Sequence, residues 1–285
     1  MPIVPFKEIM KDAFDKRYGV GAFNIVNDLT LEAVLQAAEA ARSPVIVQTS
    51  VKTVKSIGLD VLYTMWYEMA RKTTVPVCVH LDHCPDRAVI SACLARGWSS
   101  VLFDASSLPY EENLRQCVEV VAEAKKYGAG VEGEIEGIKG VEDGVGTDTE
   151  GARQTLEASL NFIRSTGIDC FAPAIGNAHG VYKETPKLDA QRVTNIEKQI
   201  PIPMALHGGT GLTNEQFQDL IARGCAKVNI STALKITYMQ SNLAFLRETE
   251  AKNKWDPPSL FRHVSQAVRE MVTGYLEVFG SVGKA

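Results

Sequence analysis

Three features of this sequence predict an α/β fold, a closed barrel of eight β/α units. Eight short apolar runs alternate with longer amphipathic runs along the 285 residues. The short runs lack the polar alternation of half-exposed strands, as expected for parallel strands covered on both faces. No break in composition interrupts the rhythm, so a single domain over residues 1–285 is expected, with a C-terminal helical extension from about 256. Eight units favour a closed (β/α)8 barrel over an open doubly wound sheet.

The elements follow in order. The first strand candidate is 20–25 (VGAFNI), followed by a helix with Ala and Leu at helical spacing. The second, 44–49 (PVIVQT), is too short and too β-branched for a helix. A helix over LDVLYTMWYEMARK precedes the third strand, 75–83, and a helix around 86–96 precedes the fourth, 99–105. A helix at about 110–127 leads to the fifth strand, 129–135. Residues 137–151 are Gly-rich, acidic and long for a βα connection, the profile of a lid or of a surface insertion. The helix ARQTLEASLNFIRSTG then leads to the sixth strand, 168–176, and LDAQRVTNIEKQI leads to the seventh, 202–207. TNEQFQDLIARG carries an N-cap Thr and a terminal Gly. The eighth strand is 225–230, followed by a long helix to about 250, a loop at 252–261 and a last helix to about 279.

Composition narrows the function classes. A 45% hydrophobic content supports a sizeable core, and 22% charged residues exclude disorder as the main description. The net charge of −4 argues against nucleic acid or another general polyanion as partner, though it leaves room for a local basic pocket. Six cysteines without paired CxxC spacing read as free thiols in a reducing cytoplasm. The N-terminal residues have charges spread through them and read as no signal peptide, and no run reaches the ~20 apolar residues of a membrane helix.

Chemistry concentrates at the predicted carboxyl ends of strands, which share one face of a barrel. His83 ends the third strand, His179 follows the sixth and His207 ends the seventh. Three imidazoles on one rim suit a catalytic Zn²⁺ with an open position; the alternative is three unrelated hydrogen-bonded histidines. His80 and His263 read as structural. Asp82, beside His83, suits a general acid or base, or a partner that orients a His. Asp104 ends the fourth strand, with an ion-pair role open beside a role at the site. Glu132 and Glu134 share one face of the fifth strand, and buried glutamates need partners. Glu142 lies in the long loop, where position alone says little. Gly208, Gly209, Thr210 and Gly211 after the seventh strand, with Asn229, Ser231 and Thr232 leading into a helix, form a Gly-rich anion-site pattern where barrels often bind phosphate. Gly176, Gly180 and Lys183 add a third loop and a cation.

Together these segments resemble the class II ketose-bisphosphate aldolases. His80-Leu81-Asp82-His83, Glu132-x-Glu134 with Glu142-Asp143, Ala174 to Gly180, Leu206 to Gly211 and Lys227 to Ile230 match in order, between Phe23-Asn24 and the Phe279-Gly280-Ser281 tail. The resemblance implies a TIM barrel and reversible zinc-dependent cleavage of a ketose 1,6-bisphosphate, fructose or tagatose, to dihydroxyacetone phosphate and an aldehyde. It implies His83, His179 and His207 as zinc ligands and lets Glu134 approach the metal; Asp104, from its place on the same rim, is a further candidate. Asp82 would act on the C4 hydroxyl and Glu142 on the C3 proton. Gly180, Lys183, Gly208, Gly209, Thr210, Asn229, Ser231 and Thr232 would surround the C1 phosphate, with Asn24 and Ser50 at matching polar positions. Gly180 and Thr210 would also lie near a monovalent cation, Na⁺ or K⁺. A cytoplasmic homodimer or homotetramer, with no membrane or nucleic-acid partner, completes the expectation.

The sequence departs from the family at two places. Ser231 stands where fructose enzymes carry Asp and tagatose enzymes Ala, although Lys183 follows the fructose pattern. Pro258 replaces an Arg that can grip the distal phosphate, a job Arg262 could take over. Another phosphorylated sugar or sugar acid is therefore an alternative substrate. Two other readings compete: a Schiff-base aldolase using Lys227, and a sugar-phosphate-binding barrel without catalysis.

Overall fold

The computed structural model describes residues 2–142, 145–147 and 153–285, with only the backbone of 141, 142 and 145–147. Eight parallel strands close into a barrel: β1 (Val20–Asn24), β2 (Val45–Ser50), β3 (Val77–Cys84), β4 (Ser100–Phe103), β5 (Gly130–Gly133), β8 (Cys170–Phe171), β9 (Met204–Leu206) and β10 (Cys225–Ile230). Each pairs with its sequence neighbour in the ring, and β10 closes onto β1 through Val20–Lys227 to Phe23–Ile230. The expected 168–176 strand is only two residues long, because the chain leaves the sheet after Phe171 toward His179. The expected loop at 137–151 includes a short antiparallel hairpin, β6 (Gly140–Glu142) with β7 (Val145–Thr147).

The helices between strands match the amphipathic runs: α2 (Asp28–Ala41), α4 (Leu59–Ala70), α5 (Arg87–Arg96), α6 (Tyr110–Lys126), α7 (Leu156–Thr166), α8 (Ala190–Gln199), α9 (Asn214–Ala222) and α10 (Thr232–Lys252). Their ends follow local chemistry. Asn27 caps α2 and Thr213 caps α9, each in a reciprocal capping box. Gly97 and Gly167 end α5 and α7 in the left-handed conformation. The tail helix α11 (Pro257–Val278) buries Val264, Val268, Val272 and Leu276 and packs on α2 and α10. No helix among the described residues is long and apolar enough to cross a membrane.

Two helices had no counterpart in the sequence reading. α3 (Val51–Ile57) is a short turn capped by Ser50. α1 (Phe6–Lys16) closes the amino-terminal end of the barrel, burying Phe6, Ile9, Met10 and Ala13 at helical spacing. Around them the strands contribute Ala22, Ile46, Cys78, Cys170, Ala205 and Ala226. Small side chains there leave room for Phe6, which stacks on His80 with ring centroids 5.6 Å apart. All six cysteines are buried free thiols.

Candidate active site

The strand files that are apolar below become polar above. Asn24, Gln48, Ser50, His80, Asp82, Glu132, Glu134, His207, Lys227, Asn229 and Ser231 are all buried. Side chains two residues apart on a strand share a face, so one inward file per strand carries both parts. Consecutive Asp82 and His83 break this rule. A register shift between Leu81 and Cys84 bulges β3, and His83 sits at φ +42. A non-glycine residue there costs about 1–2 kcal/mol. The bulge allows both neighbouring side chains to reach the site, which strand periodicity alone would forbid.

His83, His179 and His207 converge, with ring centroids 4.9, 4.8 and 6.0 Å apart. Donor atoms of the three lie within 4.8 Å of one another, as do those of His83, Asp104 and Glu134. The hydrogen bonds fix which nitrogens face inward. His83 Nδ1 meets Asp104 Oδ2 at 2.7 Å, and His207 Nε2 meets Glu132 Oε1 at 2.7 Å. His83 Nε2 and His207 Nδ1 are buried with no hydrogen-bond partner, as is Glu134 Oε2, which lies 3.2 Å from His207 Nδ1. A carboxylate holding the outer nitrogen, with the inner nitrogen turned to the centre, is the arrangement that orients histidine metal ligands. The donor set therefore fits a divalent metal such as Zn²⁺.

The charges are balanced at short range. Burial opposes the ionised form of Asp82, but His83 and Lys227 outweigh it and bring its pKa down to about 2. Its oxygens accept from Asn24 Nδ2 at 2.8 Å and Asn229 Nδ2 at 3.4 Å, and Gln48 Nε2 donates to Asn24 Oδ1 at 2.7 Å. For His179 burial acts the other way and lowers the pKa, to about 3, aided by the neighbouring His83 and His207. Glu134 is pushed up by burial and by Asp104. Glu136 accepts from Arg192 Nη2 at 2.6 Å and from the Gln154 and Ala174 amides.

The loops close over this cluster in detail. Gly208 has φ +65, and a Cβ there would lie 2.1 Å from the Ala178 carbonyl oxygen, so only glycine fits. Tyr182 accepts from the Ala178 amide at 2.8 Å and donates to the Gly208 carbonyl at 2.9 Å, tying the His179 loop to the His207 loop. Gly180 has φ +95, and Lys183 is exposed on the same loop. Gly209 packs against Asn229, and Thr210 Oγ1 accepts from the Ala233 amide at 3.0 Å. Ser231 and Thr232 open α10, and Ser231 Oγ is buried without a partner. Glu142 ends β6 three residues beyond Lys139, whose carbonyl accepts from the His179 amide at 2.8 Å; its side chain lies outside the described residues.

Two residues stand apart. Arg262 lies on α11 in a cavity of about 510 Å³ with Asn27, Tyr238 and Arg269, whose lining includes none of the histidine cluster. His263 packs on Phe245. Gln48 and Tyr182 escaped the sequence reading. Gln48 was legible as a polar residue inside an apolar strand on the Ser50 face, whereas nothing local marked the reach of Tyr182.

Residues 4–284 match the family model for class-II fructose-bisphosphate aldolase. A sulfofructosephosphate aldolase of Alkalicoccus urumqiensis is 33% identical over 286 residues, covering 100% of this chain and 99% of the relative. A fructose-bisphosphate aldolase of Geobacillus stearothermophilus is 36% identical over 292 residues, with the same coverage. Among solved structures, the YdjI aldolase of Escherichia coli K12 superposes with a TM-score of 0.86 at 30% identity, covering 99% of each chain.

Proposed function

The chain belongs to the class-II fructose-bisphosphate aldolase family and is a lyase acting on sugar phosphates, and we propose that it reversibly cleaves a ketose 1,6-bisphosphate to dihydroxyacetone phosphate and an aldehyde. One observation carries this reading. Two buried imidazole nitrogens, His83 Nε2 and His207 Nδ1, keep no hydrogen-bond partner beside His179, with ionised Asp82 next to them.

A Zn²⁺ held by His83, His179 and His207 would act as a Lewis acid toward the negative charge that develops on the dihydroxyacetone half. The chain's own groups do the rest. Asp82 takes the C4 hydroxyl proton as C3–C4 breaks, held in place by the Asn24 and Asn229 amides. Glu142 returns a proton to C3. The C1 phosphate lies among Gly180, Lys183, Gly208, Gly209, Thr210, Asn229, Ser231 and Thr232. The partnerless Ser231 hydroxyl at the N-terminus of the 21-residue α10 supports that placement. A Na⁺ or K⁺ near Gly180 and Thr210 belongs to the same proposal. Against a Schiff base at Lys227 stands its ammonium, held between Glu132 and Asn229. Assembly as a homodimer or homotetramer is supported by exposed Ile236, Met239, Leu243 and Leu246 at heptad-like spacing on α10; light scattering reads it directly.

The test is a condensation screen of metal-replete enzyme with dihydroxyacetone phosphate and a panel of phosphorylated and other anionic aldehydes. Activity should vanish on exhaustive chelation and return with Zn²⁺, and borohydride should trap no adduct. Full activity after chelation overturns the metal reading. With Ser231 and Pro258 in place, fructose and tagatose 1,6-bisphosphate should differ in kcat/KM by less than about a thousandfold, roughly 4 kcal/mol.

A further inference from the structure

Lys227 is among the largest fully buried side chains of the protein, and the proposed chemistry gives it no job. Its Nζ lies 2.9 Å from Glu132 Oε2 across the barrel and donates to Asn229 Oδ1 at 2.8 Å on its own strand. Each partner leads onward to a different half of the site. Glu132 Oε1 meets His207 Nε2, which leaves His207 Nδ1 facing the histidine cluster. Asn229, with its oxygen turned to Lys227, presents Nδ2 to Asp82 Oδ1. An amide can be flipped and an imidazole can carry its proton on either nitrogen, so both orientations need an outside anchor. His80, whose Nε2 lies 3.8 Å from Glu132 Oε2, is anchored on Ser100 through Nδ1.

We propose that Lys227 is a positioning residue that orients both halves of the site, setting the His207 nitrogen that faces the metal ligands through Glu132 and the Asn229 amide that holds Asp82. The proposal rests on the aldolase reading for its kinetic consequences, though not for its geometry. The plainer alternative is that Lys227 only neutralises the buried Glu132 carboxylate.

Two variants separate these roles. Lys227→Met strips Glu132 of its counter-charge and Asn229 of its donor. Lys227→Met/Glu132→Gln restores neutrality, and the Gln oxygen can still accept from His207 Nε2–H, but Asn229 stays without its donor. Lys227→Met should lower Tm and metal retention against a competing chelator. The double variant should recover most of both while kcat for condensation stays about 10–100-fold below wild type, the usual scale for losing an orienting partner. KM for dihydroxyacetone phosphate should change less than about threefold, because Gly180, Lys183, Gly208, Gly209, Thr210, Ser231 and Thr232 are untouched and only Asn229 of the phosphate site loses a partner. Wild-type kcat in either variant overturns the proposal. Should neither variant fold, nitrogen-15 NMR of histidine-labelled wild-type enzyme decides. In the metal-loaded enzyme His207 should carry its proton on Nε2, and a proton on Nδ1 with Nε2 left bare overturns the proposal. Wild-type enzyme that shows no exchange of the dihydroxyacetone phosphate C3 proton with solvent would instead sink the aldolase reading, leaving the NMR outcome to judge the orientation of His207.

Discussion

The lower and upper halves of the barrel interior are built from the same strands and do opposite things. Below, Ala22, Cys78, Cys170, Ala205 and Ala226 surround Phe6 and Met10 in a dry apolar plug. Above, the inward files continue as Asn24, His80 and Asp82, and His207, and β10 continues as Lys227 and Asn229 after a register shift between Cys225 and Lys227, all buried and polar. Along β1 the change takes two residues, from Ala22 to Asn24. The difference teaches how one scaffold separates stability from chemistry. The lower half gains by excluding water from carbon surface. The upper half holds costly buried charges that persist only because each has a partner, such as Glu132 with Lys227 and His207.

This division is open to attack at either end. The largest effect is expected at the rim. His179→Ala should lose most bound zinc and about ten-thousandfold in kcat/KM, roughly 5 kcal/mol, while its Tm matches that of chelated wild type. A variant that kept its metal, followed by elemental analysis, would move the ligand role elsewhere. Phe6→Ala attacks the plug. It should cost about 3–5 kcal/mol of stability, read by denaturant titration, with kcat unchanged where the variant is folded. A loss of kcat at full folding would mean that the Phe6–His80 stack reaches the chemistry.

A smaller effect sharpens the boundary between carboxylates. Glu142→Gln should slow exchange of the dihydroxyacetone phosphate C3 proton about a hundredfold, with metal content intact. Glu136→Gln should leave that exchange near wild type, since Glu136 is committed to Arg192 and two backbone amides. Exchange lost in Glu136→Gln and kept in Glu142→Gln would reverse the assignment. The smallest change tests the loops. Tyr182→Phe removes two hydrogen bonds between the His179 and His207 loops and should cost about 1–2 kcal/mol, appearing as a several-fold rise in KM. Unchanged KM and Tm would show that the loops hold without this tie.

Much of the molecule was legible before any coordinates. Strand and helix periods are local, so eight β/α units could be read from residue spacing, with boundaries matching within a few residues except at Cys170–Phe171. Strand parity put Glu132 and Glu134 on one face, and strand ends put three histidines on one rim. The helix over Phe6–Lys16 was equally available in its Phe6, Ile9, Met10 and Ala13 spacing, and it passed unread beside the charges that surround it.

What residue spacing could not decide depends on contacts between distant segments. The β3 bulge that brings Asp82 and His83 to the same site arises from a register shift against β4, set by pairing and not by the local sequence. The pairing of Lys227 with Glu132 joins β10 to β5 across the barrel, 95 positions apart in a chain of 285 residues. Arg262 entered only through the family resemblance, as a stand-in for the Arg that Pro258 replaces, and the packing of α11 on α2 and α10 places it in a cavity with Asn27, Tyr238 and Arg269. Sequence by itself determined the barrel and the kinds of donor on its rim, because hydrophobic periodicity and side-chain chemistry belong to neighbouring residues. The tertiary structure decided which nitrogen, amide and carboxylate meet, because closing the barrel is what places residues from separate strands within hydrogen-bonding distance.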